Sequence, residues 1–249
     1  PSGLAAAPGG PAGATALPGQ SADPGAGSGL PGELDAADWS TVTFLDRPWC
    51  ASCGVPFNYP AFEDVECPAC LARPPAFDRA RSAFVYDAAS RALVLTLKHG
   101  GRTDALAAYG RWMARAGAGL LPEADALIPV PLHRARLRKR RFNQSLLLAR
   151  SLSKASGVPV APHALARVRD TSTQGGLSAK GRTRNVAGAF KVRAPRRHDV
   201  EGKRLVIVDD VHTTGATLSA CARALKRAGA ANVSAITLAR VVKPVDPLK

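Results

Sequence analysis

One stretch, LVIVDDVHTTGAT at positions 205–217, constrains the fold of this chain more than any other part of the sequence. Its first four residues form a continuous apolar run, which is typical of a strand buried on both faces of a parallel sheet. Two adjacent carboxylates, Asp209 and Asp210, follow the run, and we expect them to face solvent at the carboxyl end of the strand. Ligands of α/β sheets bind at such strand ends, so the stretch predicts both an α/β fold and the location of its site.

The residues after the two carboxylates predict a phosphate-binding turn. Thr213, Thr214 and Thr217 supply hydroxyl groups, and Gly215 allows a tight backbone turn. The amphipathic segment beginning near Ala216 is predicted to be helical, and the first N–H groups of a helix attract anions.

Asp209 and Asp210 cannot bind that same phosphate, because like charges repel. Carboxylates suit the hydroxyl groups of a phosphorylated sugar, or a magnesium ion bound beside it. Phosphoribosyl pyrophosphate combines a phosphate, a cis-diol and a metal-binding pyrophosphate, and therefore matches the whole stretch. The alternative is a plain strand, turn and helix with a polar cap.

Four of the five cysteines form two CxxC pairs, which predict a structural zinc site. The ligands would be Cys50, Cys53, Cys67 and Cys70, and residues 54–66 separate the pairs. A redox site needs only one CxxC, and a disulfide needs an oxidising compartment that nothing in the sequence indicates. Cys221 stands apart on the apolar face of a predicted helix, where we expect a small core residue.

The charge of the chain indicates anionic partners. Its 34 Lys and Arg outnumber 19 Asp and Glu, for a formal net charge of +15. Basic residues are concentrated at 134–141 and 167–197, where a solvated face and a nucleic-acid or pyrophosphate role are equally consistent with the pattern. Only 5% of residues are aromatic, so contact with DNA would be mainly electrostatic. No apolar run approaches 18 residues, so we expect a cytoplasmic protein without a membrane span.

The chain is predicted to have three parts. Residues 1–38 are dominated by Ala, Gly and Pro and are expected to be disordered. Residues 39–75 would form the zinc ribbon, and residues 76–249 a domain of alternating helices and strands. Strands are predicted over 81–86, 126–130, 188–192, 205–208 and 233–239, and helices over 88–97, 105–116, 142–156 and 216–228. This alternation predicts a doubly wound parallel sheet covered on both sides.

The order of the motifs resembles the ComF family, also called ComFC or GntX-like proteins, which is linked to competence and DNA uptake. The motifs are the double CxxC, LKHGGR at 97–102, IPVP at 128–131, RRFNQ at 140–144, RDTSTQ and GLS within 169–178, Arg182, Asn185 and the stretch at 205–217. Arg141 departs from the pattern, since many members have glycine there, and this puts the local turn in doubt. The resemblance implies a type I phosphoribosyltransferase domain preceded by a zinc ribbon.

The resemblance also implies roles for individual residues. Asp209 and Asp210 would hold the ribose hydroxyls, and residues 213–217 would bind the 5′-phosphate. The turn after the strand at 126–130 would contact pyrophosphate, through Val130, Pro131 and Arg134. Residues 171–178 would form a hood loop that closes over the substrate, with Thr171, Gln174 and Leu177 as its candidate contacts. His212 could act as an acid or base, but we expect it only to line the loop.

The implied activity is phosphoribosyl (pentosyl) transfer with Mg²⁺ to an acceptor that the sequence does not define. The competing interpretation is a non-catalytic competence factor that only senses or binds phosphoribosyl pyrophosphate and contacts single-stranded DNA. A further interpretation is a protein whose ribbon docks onto a DNA-uptake helicase. Pyrophosphate release on addition of an acceptor would favour the enzyme, and salt-sensitive DNA binding without sequence preference would favour the binding module.

Overall fold

The computed structural model describes residues 42–62, 64–98, 105–170 and 179–242. The predicted disordered segment at 1–38 and the hood-loop residues Thr171, Gln174 and Leu177 lie outside these ranges.

A four-stranded parallel sheet forms the centre of the domain. Its strands in chain order are β1 (Ala80–Val85), β2 (Ala126–Pro129), β5 (Arg204–His212) and β6 (Asn232–Arg240). They lie in the spatial order β1-β6-β5-β2, and all three pairings are parallel. Helices connect the strands: α2 (Arg91–Lys98), α3 (Leu106–Ala116), α4 (Arg134–Arg140), α5 (Gln144–Ser156), α6 (Ala179–Val186) and α7 (Ala216–Arg227).

Alternate residues of β5 enter two different cores, one on each face of the sheet. Val206 and Val208 pack in the core that contains Tyr109 and Met113 of α3 and Leu148 of α5. Leu205 and Ile207, which alternate with them along β5, pack in the core on the other face. This core contains α7, whose buried side chains include Leu218, Cys221 and Leu225. Both faces are therefore covered, as the continuous apolar run at 205–208 predicts. Cys221 is fully buried, which confirms its expected role as a core residue.

The central strand β5 is longer than its apolar run predicts. It continues to His212, because Asp209, Val211 and His212 remain in register with Thr237, Ala239 and Arg240 of β6. The two carboxylates consequently lie within the strand and not beyond its end.

A separate antiparallel pair contains the strand predicted at 188–192. This strand, β4 (Phe190–Val192), pairs with β3 (Leu165–Arg167) and takes no part in the parallel sheet. Leu165 and Phe190 are buried in the same core as α7. The β3–β4 pair therefore packs beside the sheet, and Arg167 at the end of β3 lies near Asp209 and Asp210 of β5.

The described part of the predicted zinc ribbon, at 42–75, packs directly on the edge strand β1 of the sheet. Its only helix within the described residues is α1 (Pro68–Ala72). Backbone hydrogen bonds join it to β1, from Leu45 N to Ala83 O (3.0 Å) and from Ala80 N to Ser52 O (2.7 Å). All four CxxC cysteines belong to the core that contains α7. The segment and the sheet thus share one hydrophobic core.

Candidate functional site

Asp209 and Asp210 are buried, with 8% and 7% of their surfaces exposed. The expectation that they face solvent is therefore wrong, because β5 continues past them. Asp209 Oδ1 accepts hydrogen bonds from Ser145 Oγ (2.9 Å) and from the Asp210 N–H (3.0 Å). Asp210 Oδ1 accepts one from the Val211 N–H at 2.8 Å. These contacts fix both carboxylates before any ligand binds, which lowers the entropic cost of recognising one.

The predicted phosphate turn joins β5 to the N-terminus of α7. Gly215 precedes the helix in the left-handed conformation, with φ at 73°. A Cβ atom there would lie 3.0 Å from His212 Nε2 and 3.4 Å from the Phe77 ring, so glycine is required for two reasons. Thr213 and Thr217 line the cavity beside the turn, whereas Thr214 is exposed. The turn therefore combines hydroxyl groups with the free N–H groups of a helix start, a combination suited to an anion.

A cavity of about 300 Å³ brings the carboxylates and the turn together. Three cations also reach it: Arg136 and Arg140 from α4, and Arg167 from β3. The Arg167 guanidinium stacks over the Phe190 ring, with its Cζ 5.4 Å from the ring centroid. Burial, followed by the nearby Arg136, lowers the pKa of Arg167, while Asp209 acts in the opposite direction. The cavity is thus anionic on one side and cationic on the other. We call it the carboxylate cavity.

Val130 also lines the carboxylate cavity, but Pro131 and Arg134 line a larger cavity next to it. Arg136 and Arg140 are the α4 cations that line the carboxylate cavity, and contact of Arg134 with pyrophosphate stays a prediction. The remaining predicted residue of the phosphate turn, Ala216, lies in the carboxylate cavity.

Sequence reasoning assigned no site role to three residues of the carboxylate cavity, Gln144, Ser145 and Arg167, and it included Arg136 and Arg140 only within the basic stretch 134–141. The RRFNQ motif contains the signal for some of them. The Asn143 side chain donates to Val130 O (3.1 Å) and accepts from the Ser145 N–H (3.1 Å), so it caps α5 and ties that helix to the end of β2. Ser145, placed by this cap, then reaches Asp209. No local signal identifies Arg167, which only the fold brings near.

His212 is a buried part of the cavity wall, with 3% exposure. Its Nδ1 lies 2.6 Å from Arg240 Nη1, and its ring meets Phe77 edge-on. Burial, with Arg240 as the second cause, lowers the pKa of His212 well below its ordinary value. A lowered pKa favours the neutral imidazole, so His212 is poorly suited to donate a proton as a general acid. That it only lines the loop stays a prediction.

The four CxxC cysteines form a cluster that can hold a metal ion. All four are buried, and their Sγ atoms lie within 4.8 Å of one another. The Cys53 and Cys67 sulfurs are 3.8 Å apart. A tetrahedral ion with Zn–S bonds of ~2.3 Å separates its sulfur ligands by ~3.8 Å, so the spacing fits zinc.

The surroundings of the cluster favour the thiolate form of Cys50 and the protonated form of Cys70. The Cys53 and Cys67 N–H groups point at Cys50 Sγ, at 3.4 and 3.2 Å. Hydrogen bonding, chiefly from the Cys53 side chain, lowers the pKa of Cys50 to about 4, whereas burial raises the pKa of Cys70 to about 12. Arg240 Nη2 donates to Cys53 Sγ at 3.2 Å. A divalent ion would replace the proton that Cys70 retains.

Comparison with known proteins agrees with this geometry. Residues 122–247 match the family model described as the phosphoribosyl transferase domain. DNA utilization protein YhgH of Salmonella typhi is 39% identical over 199 residues, which cover 78% of this chain and 84% of that protein. Competence protein F of Haemophilus influenzae is 34% identical over 198 residues, covering 78% and 85%. Competence protein ComFC of Bacillus subtilis is 30% identical over 162 residues, covering 64% and 63%.

The fold, the strand-end site and the family match define a type I phosphoribosyltransferase domain. Within that class, the chain belongs to the ComF family. None of the helices in the described ranges is long and apolar enough to cross a membrane.

Proposed function

We propose that this protein binds phosphoribosyl pyrophosphate together with Mg²⁺ and transfers its phosphoribosyl group to an acceptor. The observation that carries the proposal is the carboxylate cavity, in which the buried pair Asp209 and Asp210 faces the same space as the turn at 213–217. A ligand that fills this cavity needs hydroxyl groups at one point and a phosphate at another. A phosphorylated ribose meets both requirements.

Each wall of the cavity has a role in this proposal. Asp209 and Asp210 accept hydrogen bonds from the ribose hydroxyls, while Thr213, Thr217 and the first N–H groups of α7 bind the 5′-phosphate. Arg136 and Arg140 lie where they can attract the pyrophosphate. Mg²⁺ bound to the pyrophosphate oxygens would neutralise charge on the leaving group.

The proposed reaction is a displacement at C1 of the ribose. The acceptor's lone pair forms the new bond to C1, the C1–oxygen bond breaks with its electron pair passing to pyrophosphate, and the acceptor's proton passes to water. Positive charge develops on the sugar ring as the bond breaks. The buried carboxylates, held by Ser145 and backbone N–H groups, stabilise that charge without reorganising.

We also propose that the cysteine cluster binds one structural Zn²⁺. All four tetrahedral positions would be filled by protein, so the ion would stabilise the fold and not take part in the reaction. The names of the relatives support a role of the transferase in competence or DNA utilisation, and a cytoplasmic location stays a prediction from the sequence.

A second candidate function is binding of single-stranded DNA without catalysis. It is favoured by the net charge of +15 and by the exposed basic surface of α4, which includes Arg134 and Arg138. Contact with a DNA-uptake helicase stays a prediction from the family resemblance.

Measurement of pyrophosphate release with a panel of acceptors separates the two functions. The transferase releases pyrophosphate in an acceptor-dependent manner, and Arg138→Gln, at an exposed residue that lines neither the carboxylate cavity nor the larger one next to it, leaves its affinity for phosphoribosyl pyrophosphate unchanged. For the DNA-binding function, the same variant flattens the salt dependence of DNA affinity by about 0.7 units of slope, at ~0.7 per phosphate contact. Saturable binding of phosphoribosyl pyrophosphate without release of pyrophosphate, whichever acceptor is added, would favour a protein that only senses or binds phosphoribosyl pyrophosphate.

A further inference from the structure

A second cavity, of about 830 Å³, lies directly against the carboxylate cavity. The two share Leu132 and Arg167 as lining residues. A molecule in the larger cavity can therefore approach a ligand bound in the smaller one. Its volume falls within the ~300–1,000 Å³ usual for small-molecule sites.

The larger cavity has an apolar wall. The wall is formed by side chains of α4, α5 and β3 and the residues next to them, including Leu137, Phe142, Leu146, Leu147, Leu165 and Val168. Val168 is 51% exposed and Leu137 is 41% exposed, so both place apolar surface in contact with water. A ligand that covers this surface gains hydrophobic free energy.

Cations surround the apolar wall. Arg134, Arg141, Arg150 and Arg193 line the cavity in addition to the shared Arg167. None of the described lining residues carries a carboxylate. The lining residue His133 lies beside an acid, with its Nδ1 3.5 Å from the half-exposed Asp170. The cavity thus selects a molecule with an apolar body and a negative charge.

We propose that the larger cavity is the acceptor site, and that the acceptor is a small aromatic or heteroaromatic carboxylic acid. This inference rests on the proposed transferase function. Guanidinium groups bind carboxylates in a bidentate manner and stack on aromatic faces, as Arg167 already stacks on Phe190. The acceptor's nucleophile would face the boundary at Leu132 and Arg167, where it meets C1 of the ribose.

The test uses the full chain and two sets of probes, observed by saturation-transfer NMR with phosphoribosyl pyrophosphate and Mg²⁺ present. The acids are benzoate, 2-aminobenzoate and pyridine-2-carboxylate, and the neutral counterparts are benzamide, aniline and pyridine. We expect the acids to bind more tightly than their neutral counterparts. Val168→Trp should occupy part of the cavity along its apolar wall and weaken binding of the acids by at least ~10-fold. Arg150→Gln with Arg193→Gln should weaken them by a similar factor.

Leu71→Trp is the matched control, because Leu71 is 65% exposed and lines neither cavity. It should bind the acids as the unmodified protein does. Calorimetric titration of Val168→Trp with phosphoribosyl pyrophosphate separates this inference from the proposed function. If Val168→Trp binds phosphoribosyl pyrophosphate with unchanged affinity but no longer binds the acids, both the proposed function and the acceptor site are supported. Binding of phosphoribosyl pyrophosphate with equal signals from acids and neutral probes, or acids unaffected by Val168→Trp, overturns the acceptor site alone.

If the acids fail to bind but an oligo(dT) strand loses affinity in Val168→Trp, the cavity serves DNA and the proposal is wrong. Absence of phosphoribosyl pyrophosphate binding in the unmodified protein refutes the proposed function, and the acceptor assignment falls with it.

Discussion

Replacement of Arg240 by methionine should destabilise the cysteine cluster and the carboxylate cavity together. Arg240 ends β6 and is 7% exposed. Its guanidinium donates to Cys53 O (2.7 Å) and Cys53 Sγ (3.2 Å), and its Nη1 lies 2.6 Å from His212 Nδ1. The side chain therefore connects a proposed zinc ligand to a residue of the cavity wall.

The expected loss of unfolding free energy for Arg240→Met is about 1.5–3 kcal/mol, the range for one hydrogen bond that involves a charged group. The sum over all three contacts would overestimate this loss, because methionine also removes the desolvation cost of the guanidinium. At about 2–4 °C per kcal/mol for a protein of this size, Tm should fall by roughly 3–12 °C. Zinc release to a chromophoric chelator should become faster.

Two further variants show whether charge or geometry matters. Arg240→Lys keeps the charge, but a single ammonium group cannot reproduce the planar fork that serves Cys53 and His212 at once, so we expect an intermediate loss. Arg115→Met removes an exposed arginine whose partner is Asp46 at 2.9 Å, and it should change stability by no more than about 1 kcal/mol. If Arg240→Met has the same Tm and the same rate of zinc release as Arg115→Met, the buried contacts of Arg240 contribute nothing to stability and the prediction is wrong.

Three other positions give direct tests. Gly215→Ala should weaken phosphoribosyl pyrophosphate binding in calorimetry, because the new Cβ would lie 3.0 Å from His212 Nε2. Gly119→Ala is the control and should not weaken binding, because its Cβ would have no atom within 4 Å. Equal affinities of the two variants would contradict the role of the turn. Arg141→Gly should raise the unfolding free energy by about 1 kcal/mol in denaturant titration, because Arg141, which caps helix α4, has a φ of 65°. Arg138→Gly, inside α4, should lower the unfolding free energy by a similar amount. The ring of His212 should show no NMR titration between about pH 7.5 and 6, because burial and Arg240 lower its pKa. Since the unfolded chain binds a proton at His212 below about pH 6.5 and the folded chain does not, stability should decrease as pH falls through that value, and His212→Gln should reduce this slope.

The parts of the fold that the sequence predicts are those encoded by local patterns. The apolar run at 205–208 and the turn after it identify β5 and the start of α7, because strand burial and helix initiation depend on adjacent residues. The extension of β5 to His212 depends on pairing with β6, which no local pattern shows. The sequence pattern does not predict helix α4, because Ala135 and Leu137 are its only residues that are not basic and two apolar positions give no helical periodicity.

The same distinction applies to the site. Asp209, Asp210 and Thr217 are close in sequence, so one motif predicts them together. Arg167 reaches the carboxylate cavity only because the β3–β4 pair packs beside the sheet. The burial of the carboxylates likewise follows from tertiary packing and is invisible in the motif.

Calorimetric titration with phosphoribosyl pyrophosphate and Mg²⁺, on the unmodified protein and on Asp209→Asn with Asp210→Asn, tests the central claim most directly. Asparagine keeps the acceptor oxygen that Asp209 offers to Ser145, so the double variant should remain folded, as circular dichroism would show. Asp46→Asn, an exposed carboxylate outside the cavity, is the matched control. The account predicts saturable binding that the double variant weakens by at least ~100-fold, since each hydrogen bond to a charged group contributes about 1.5–3 kcal/mol. Equal affinity in the folded double variant and in Asp46→Asn would contradict it.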